Sequence, residues 1–333
     1  MQKPTEKTSK MLFKTEQELF DALVPPDNAF RKLNPIIDFE KLTNPLRDLY
    51  SDLGPTGIDV AKGFKALLVQ FWEDYSDRQM EQAVQENLAV RWFCGFGLTE
   101  PTPDYSYFCK LRQRVGPKRL AEIFNTINEE LRKKGLFGDV FTFIDASAII
   151  SKTALWEERD RAIKDGCEKL NNANVKKYAA DSQARWGAKS KNKIWFGYKR
   201  NHSVDMRYGL ICKVAVTPAN ICDFKSTNSI CPKQGLIFTD KLFDCKTADL
   251  AIKAKGCFAA TIRKKNNKAK NRDLDRWRSK IRMPFEGTFS QLRKRARFRG
   301  LAKVFFQCTF ESICHNLKKA IAVLPLQLAP QGA

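Results

Sequence analysis

Val140-Phe141-Thr142-Phe143-Ile144-Asp145 is a short aromatic and β-branched run that stops on an acid, the pattern of a buried strand. Gly235-Leu236-Ile237-Phe238-Thr239-Asp240 repeats it further along the chain. Two strands ending on aspartates place two carboxylates on a rigid sheet, with loop ends open beside them. A third acid, Glu286, follows in Arg282-Met283-Pro284-Phe285-Glu286, on what reads as a basic helix. Each has a plainer reading. An Asp after a strand is most often a turn or helix cap, and a Glu among arginines is most often a surface ion pair. Asp181, Asp205, Asp223 and Asp244 compete for the same role. Convergent, rigid carboxylates are nonetheless what magnesium needs for work on a phosphodiester.

Around these runs the pattern from Gly138 onward is one of short strands. Lys193–Lys199 and Leu210–Val216 read as strands joined through Arg207-Tyr208-Gly209, with Cys257–Ile262 as a further one. A helical crossover precedes Leu236, and Thr247–Lys255 reads as a helix. The order predicts an α/β (mixed α+β) fold, a mixed sheet flanked by helices. The polar stretch at about 151–191 reads as a partly helical insertion. In the acidic helix, Pro284 is expected in the first turn. Phe285, Phe289 and Leu292 would seat it on the sheet, and Arg282, Glu286 and Arg293 would share another face.

The first 135 residues read as helical. Asp59 precedes Phe64, Leu67, Leu68 and Phe71 at helical spacing, and Ser76 with Gln79 has the spacing of a capping box. Asp104 is a cap for a further helix. Pro117 opens the next, which Gly135 closes. The expected organisation is a helical domain over 1–135, a sheet domain over 136–325 with the insertion at about 151–191, and a tail over 326–333.

The net charge of +22 is uneven: 252–319 holds 20 Lys or Arg against 4 Asp or Glu. Such a field favours polyanions with salt-dependent binding; a solvated basic face and an anionic membrane surface are the alternatives. The ten cysteines contain no C-x-x-C pair and only His202 and His315 accompany them, so zinc has no supporting spacing. The start, Met1–Glu6, lacks an apolar leader and no run spans a bilayer, which fits a reducing cytoplasm.

Together these motifs resemble a bacterial insertion-sequence transposase of the DDE type, in the IS-four/IS-five superfamily, over nearly the whole chain. The resemblance rests on Phe64-Lys65-Ala66-Leu67-Leu68 and Asp104-Tyr105-Ser106-Tyr107-Phe108 in the helical part. In the core it rests on Phe143-Ile144-Asp145-Ala146-Ser147, Gly197-Tyr198-Lys199, His202, Thr217-Pro218-Ala219-Asn220, Asp240-Lys241, Arg282-x-x-x-Glu286 and Asn316-Leu317-Lys318. It implies a ribonuclease-H-like core in which Asp145, Asp240 and Glu286 bind two Mg2+ ions, with Mn2+ able to substitute. Water would free a 3′-hydroxyl at the element's terminal inverted repeats, and that hydroxyl would attack target DNA. Candidate contacts to double-stranded DNA are Arg282, Arg293, Lys294, Arg295, Arg297, Lys241, Arg278 and Lys199. A homodimer is expected because two ends are synapsed, in a bacterial cytoplasm at the nucleoid. Three positions depart from the family pattern. Ser279 stands where a tyrosine is usual, Arg293 where a lysine is, and Leu242-Phe243 where glycine and tyrosine are. Leu242 is expected to strain the turn beside Asp240. The alternative reading is a catalytically impaired, transposase-derived DNA-binding protein.

Overall fold

The structure, a computed structural model, describes residues 15–50, 57–151, 156–290 and 292–328; the Met1–Glu6 start and the end of the tail lie outside the described residues, as does the Phe289 side chain. The chain divides into two compact units between Val115 and Gly116.

The first unit is helical: α1 (Glu16–Leu23), α2 (Ala29–Leu33), α3 (Phe39–Thr43), α4 (Val60–Glu73), α5 (Asp77–Glu86), α6 (Leu88–Cys94) and the first part of α7 (Tyr105–Lys133). Asp59 caps α4 through the amides of Ala61 and Lys62, and Phe64, Leu67, Leu68 and Phe71 are all buried. Ser76 and Gln79 form the capping box of α5. The Asp104 carboxylate accepts from the Tyr107 amide at 3.0 Å, as a helix start requires. Asp77 accepts both Arg112 terminal nitrogens at 2.7 Å, tying α5 to α7. Gly116, at φ 64° and ψ 170°, breaks α7 into two. The part that starts at Pro117 belongs to the second unit, so the division falls some twenty residues before the boundary expected near 135.

In the second unit follow β1 (Phe141–Ile150), α8 (Trp156–Lys164), α9 (Val175–Tyr178), β2 (Arg185–Ser190), β3 (Lys193–Asp205), β4 (Ile211–Pro218), α10 (Thr227–Ile230), β5 (Leu236–Thr239), α11 (Lys246–Lys253), β6 (Phe258–Thr261), α12 (Arg272–Ser290) and α13 (Leu301–Leu328). The sheet runs β2-β3-β1-β5-β6, with β4 also paired to β3. β1 is antiparallel to β3 and parallel to β5, and β5 is parallel to β6. This is the mixed sheet that the strand pattern predicts, in the ribonuclease-H-like form that the resemblance implies.

Alternation along β1 sends Ile144 to one face and Phe143, Asp145 and Ile149 to the other. Ile144 joins Ile237, Phe243, Ala248 and Ile252 in a core beneath α10 and α11. On the opposite face Ile149 packs with Tyr198, Phe196, Val304 and Cys308 under α9 and α13. Gly197 has no alternative where β3 meets the end of β1. Its φ is +151°, and a Cβ there would lie 2.1 Å from the Ile149 carbonyl oxygen.

Three expectations change. β2 lies inside the stretch taken as an insertion; its polar sequence hides it because only Gly187 of the six residues is buried. β1 does not stop at Asp145 but continues to Ile150, since β3 pairs with it over Thr142–Ile150. α12 begins at Arg272, where the Asn271 side chain accepts from the amides of Asp273 and Leu274. Pro284 is therefore interior rather than in the first turn, where it costs the Lys280 carbonyl its helical donor. The helix ends at Ser290, so Arg293 and the buried Leu292 lie beyond it and share no helical face with Arg282 and Glu286.

Candidate active site

β5 pairs with only the first part of β1: Phe238 stands beside Phe143, and β5 ends at Thr239. Two residues on, Asp145 and Asp240 come abreast where the parallel half of the sheet gives out. Asp145 is thus mid-strand with respect to β3 and at the strand end with respect to β5. Its carboxylate accepts from the Ala146 amide at 2.8 Å. Asp240 caps a short 3-10 turn, Lys241–Phe243, by accepting from the Leu242 amide at 2.9 Å. That turn takes leucine without left-handed backbone: among the described residues only Asp74 and Asp139 are non-glycines with positive φ. The strain expected at Leu242 is absent, because the Asp240 cap holds a turn that any L-residue enters.

Burial pushes the Asp145 carboxyl up to about 6, and the Asp240 charge adds to the rise against the pull of Arg282 and Lys189. Burial raises Asp240 as well, with Arg282 opposing and Asp223 adding to it. The two acids are therefore half-enclosed and only partly balanced by Arg282, a donor pair of hard oxygens suited to a divalent cation.

Arg282 stands over this pair. It is buried on α12, its guanidinium lies 4.8 Å from the Phe143 ring centre, and it donates to Glu286 at 3.3 Å. Glu286 itself keeps 56% of its side chain exposed. Among the described residues no group of three or more Asp, Glu, His or Cys gathers closely enough to hold a metal ion. The structure brings together Asp145, Asp240 and Arg282, and leaves Glu286 one helical turn away on the arginine's outer side.

The basic residues divide into two kinds. Several are committed to internal acids. Lys199 donates to Asp223 at 2.7 Å and to the Ile221 carbonyl, while Arg278 donates to the Thr261 carbonyl and Asp275. Arg263 is held by Asp244, which also accepts from the Lys264 amide and Asn267. Three of the others face outward. Lys241, Lys294 and Arg295 are exposed. Burial and the neighbouring Arg297 pull Arg293 below the usual arginine range, a crowding of like charge.

Residues 142–317 match the family described as Transposase DDE domain, more than half of the chain. The chain belongs to the DDE transposases. Residues 18–114 of the transposase match a second family, Transposase domain (DUF772), so both units carry a transposase assignment. No solved structure matches the chain. Membership makes the transposase a DNA-acting protein whose family works with divalent metal ions. No helix among its described residues is long and apolar enough to cross a membrane.

Sequence reasoning named Asp223 and Asp244 as competing acids and His202 as a motif residue, but not the partners that the structure gives them, and it missed Arg200 and Glu311 altogether. Asp244 is the clamp of the 263–267 loop, and Asp223 pairs with Lys199. On the face shared by Asp145, the fully buried Arg200 pairs with Glu311 of α13, and the His202 ring contacts the Ser312 hydroxyl at 3.2 Å. No local signal marked Arg200 or Glu311, whose pairing joins β3 to α13.

Proposed function

We propose that the transposase cuts DNA at the terminal inverted repeats of its insertion sequence and joins the freed 3′-hydroxyl ends to target DNA by transesterification. Asp145 and Asp240 are the metal-holding carboxylates, and Glu286 completes the set. The observation that carries this reading is the half-enclosed pair Asp145–Asp240: burial raises both, the Asp240 charge adds to the rise at Asp145, and the Asp223 charge adds to it at Asp240. Bound there, Mg2+ (two ions, with Mn2+ able to substitute) supplies activation of the attacking oxygen and stabilisation of the leaving one. The chain's own residues do the rest. Arg282, fixed above Phe143, meets the scissile phosphate and hands Glu286 over to the acid pair as DNA enters. Arg293, Lys294, Arg295, Arg297 and Lys241 follow the phosphate backbone. Lys199 and Arg278, held by Asp223 and Asp275, set the shape of the rim.

The quoted motifs resemble those of the IS-four/IS-five superfamily, and on this reading the transposase acts as a homodimer on paired ends at the nucleoid of a bacterial cytoplasm. The decisive assay is Mg2+- or Mn2+-dependent cleavage of duplex DNA carrying the element's ends, followed by joining to a plasmid. Wild type cleaves and joins, and Asp145→Asn does neither. Equal cleavage by Asp145→Asn removes the proposed site, and joining from a 3′-blocked donor end removes the proposed chemistry. One observation favours a second reading, a DNA-binding protein that has lost catalysis: Glu286 is paired with Arg282. Tight end binding without cleavage in either metal selects it.

A further inference from the structure

The basic segment that follows α12, Arg293-Lys294-Arg295-Ala296-Arg297, lies outside any helix, yet it is fixed from two sides. On one side it is annealed to the end of β1. The Ile150 amide donates to the Lys294 carbonyl at 2.7 Å, and the Ala296 amide donates to the Ile150 carbonyl at 2.8 Å. On the other side stands a single buried side chain of α13, Gln307. Its carbonyl oxygen accepts from the Arg297 amide at 2.7 Å, and its amide nitrogen donates to the Arg295 carbonyl at 3.0 Å. The same nitrogen donates to Glu311 at 2.7 Å, and Glu311 is the partner of the buried Arg200 on β3.

These contacts have a direction. Arg200 holds Glu311; Glu311 holds and orients the Gln307 amide; Gln307 reads the backbone on both sides of Ala296. The amide must present its oxygen to Arg297 and its nitrogen to Arg295, and the Glu311 carboxylate allows only that orientation. Lys294 and Arg295, meanwhile, project outward and are exposed. A run of cations that folding merely tolerated would be left loose or balanced by nearby acids. Here the backbone is locked while the Lys294 and Arg295 side chains face solvent.

We infer that Arg200, Glu311 and Gln307 form a latch that preorganises Arg293–Arg297 as a rigid phosphate-contacting strand, with Gln307 a positioning residue for duplex DNA. The inference rests on the reading of that segment as a DNA surface. The latch removes in advance the cost of ordering the backbone that carries the two exposed side chains. Its loss therefore weakens binding without removing a single charge.

The test is fluorescence anisotropy of a labelled 30-base-pair duplex across a salt series, together with hydrogen exchange by mass spectrometry. Gln307→Leu keeps the volume and deletes both backbone bonds. It is expected to weaken binding on the order of tenfold at unchanged salt slope. Exchange should quicken at 293–299 while β1 and β3 stay protected. Ala296→Pro, which deletes the amide bonded to Ile150, breaks the strand from the opposite side and gives the same pair of effects should Gln307→Leu not fold. Unchanged affinity in a variant whose segment exchanges faster overturns the latch, as does unchanged exchange. The underlying reading fails separately: Lys294→Ala with Arg295→Ala should lower the salt slope by about 2. If that double variant binds like wild type, the segment is no DNA surface at all.

Discussion

Asp145→Asn keeps the shape of the side chain and discards its charge, and the structure says what that charge costs. The carboxyl is raised from an ordinary 3.8 to about 6, chiefly because it is half-enclosed and then because Asp240 faces it. A folded-state value above the unfolded one means that the native protein holds a proton the unfolded chain would release. The ionised aspartate therefore opposes folding. The penalty is absent below about pH 3.8, grows as pH rises, and is complete above about pH 6. Its full size is about 3 kcal/mol, an upper figure because the residue keeps a solvent-facing edge, and at pH 5 it is roughly half that. Asparagine can still accept the Ala146 amide through its carbonyl oxygen, so little else is lost. In EDTA, urea unfolding at pH 8 should show Asp145→Asn more stable than wild type by up to about 3 kcal/mol, with the gap shrinking towards pH 5. Adding Mn2+ should then stabilise wild type and leave the variant nearly unmoved. Should Asp145→Asn be no more stable at pH 8, or should the gap stay the same at pH 5, the half-enclosed-pair account of the site is wrong.

Other perturbations follow from single contacts. Gly197→Ala puts a methyl 2.1 Å from the Ile149 carbonyl oxygen and 2.6 Å from the Ser151 amide, so a loss of about 3 kcal/mol or more is expected in thermal unfolding. Glu311→Ala leaves Arg200 fully buried without its carboxylate, and denaturant titration should record a loss of about 3–5 kcal/mol. Burial, with the nearby Arg200 and His315 charges, holds His202 well below its usual 6.5. The unfolded chain then binds the extra proton first, so stability falls as pH drops below 6.5, by about 1.4 kcal/mol per pH unit for this one residue. His202→Gln should flatten that acid limb in denaturation midpoints taken from pH 7.5 to 5.5. His315, lowered chiefly by burial, keeps a slope of the same sign in place.

What the chain reveals in one dimension depends on how local the cause is. The aspartate-ended runs were legible because burial on both sheet faces forces continuous apolar sequence up to the acid. The caps at Asp59 and Ser76 were legible for a similar reason: a cap acts over three residues. β1 was read five residues short because Ala146-Ser147-Ala148 carries little apolar bulk, and only pairing with β3 makes it strand. β2 disappeared into a polar stretch because it is mostly exposed. The true start of α12 was obscured by a run of cations that hid Asn271 as its cap, which in turn misplaced Pro284. Arg200 and Glu311 stand 111 positions apart, and nothing in either neighbourhood announces the other.

The continuation of β1 past Asp145 bears on which sequence changes the protein can tolerate. Strand pairing has a parity. Sliding β1 by one residue against β3 would turn Asp145 towards α10 and α11 and thrust Ile144 under Arg282. Catalytic placement and hydrophobic burial are thus written in the same alternation, and neither can drift alone. A one-residue deletion in 142–149 would be lethal to both at once, whereas a conservative replacement at either face leaves the other intact. Reading-frame-preserving indels should therefore be filtered out of this strand far more stringently than point changes.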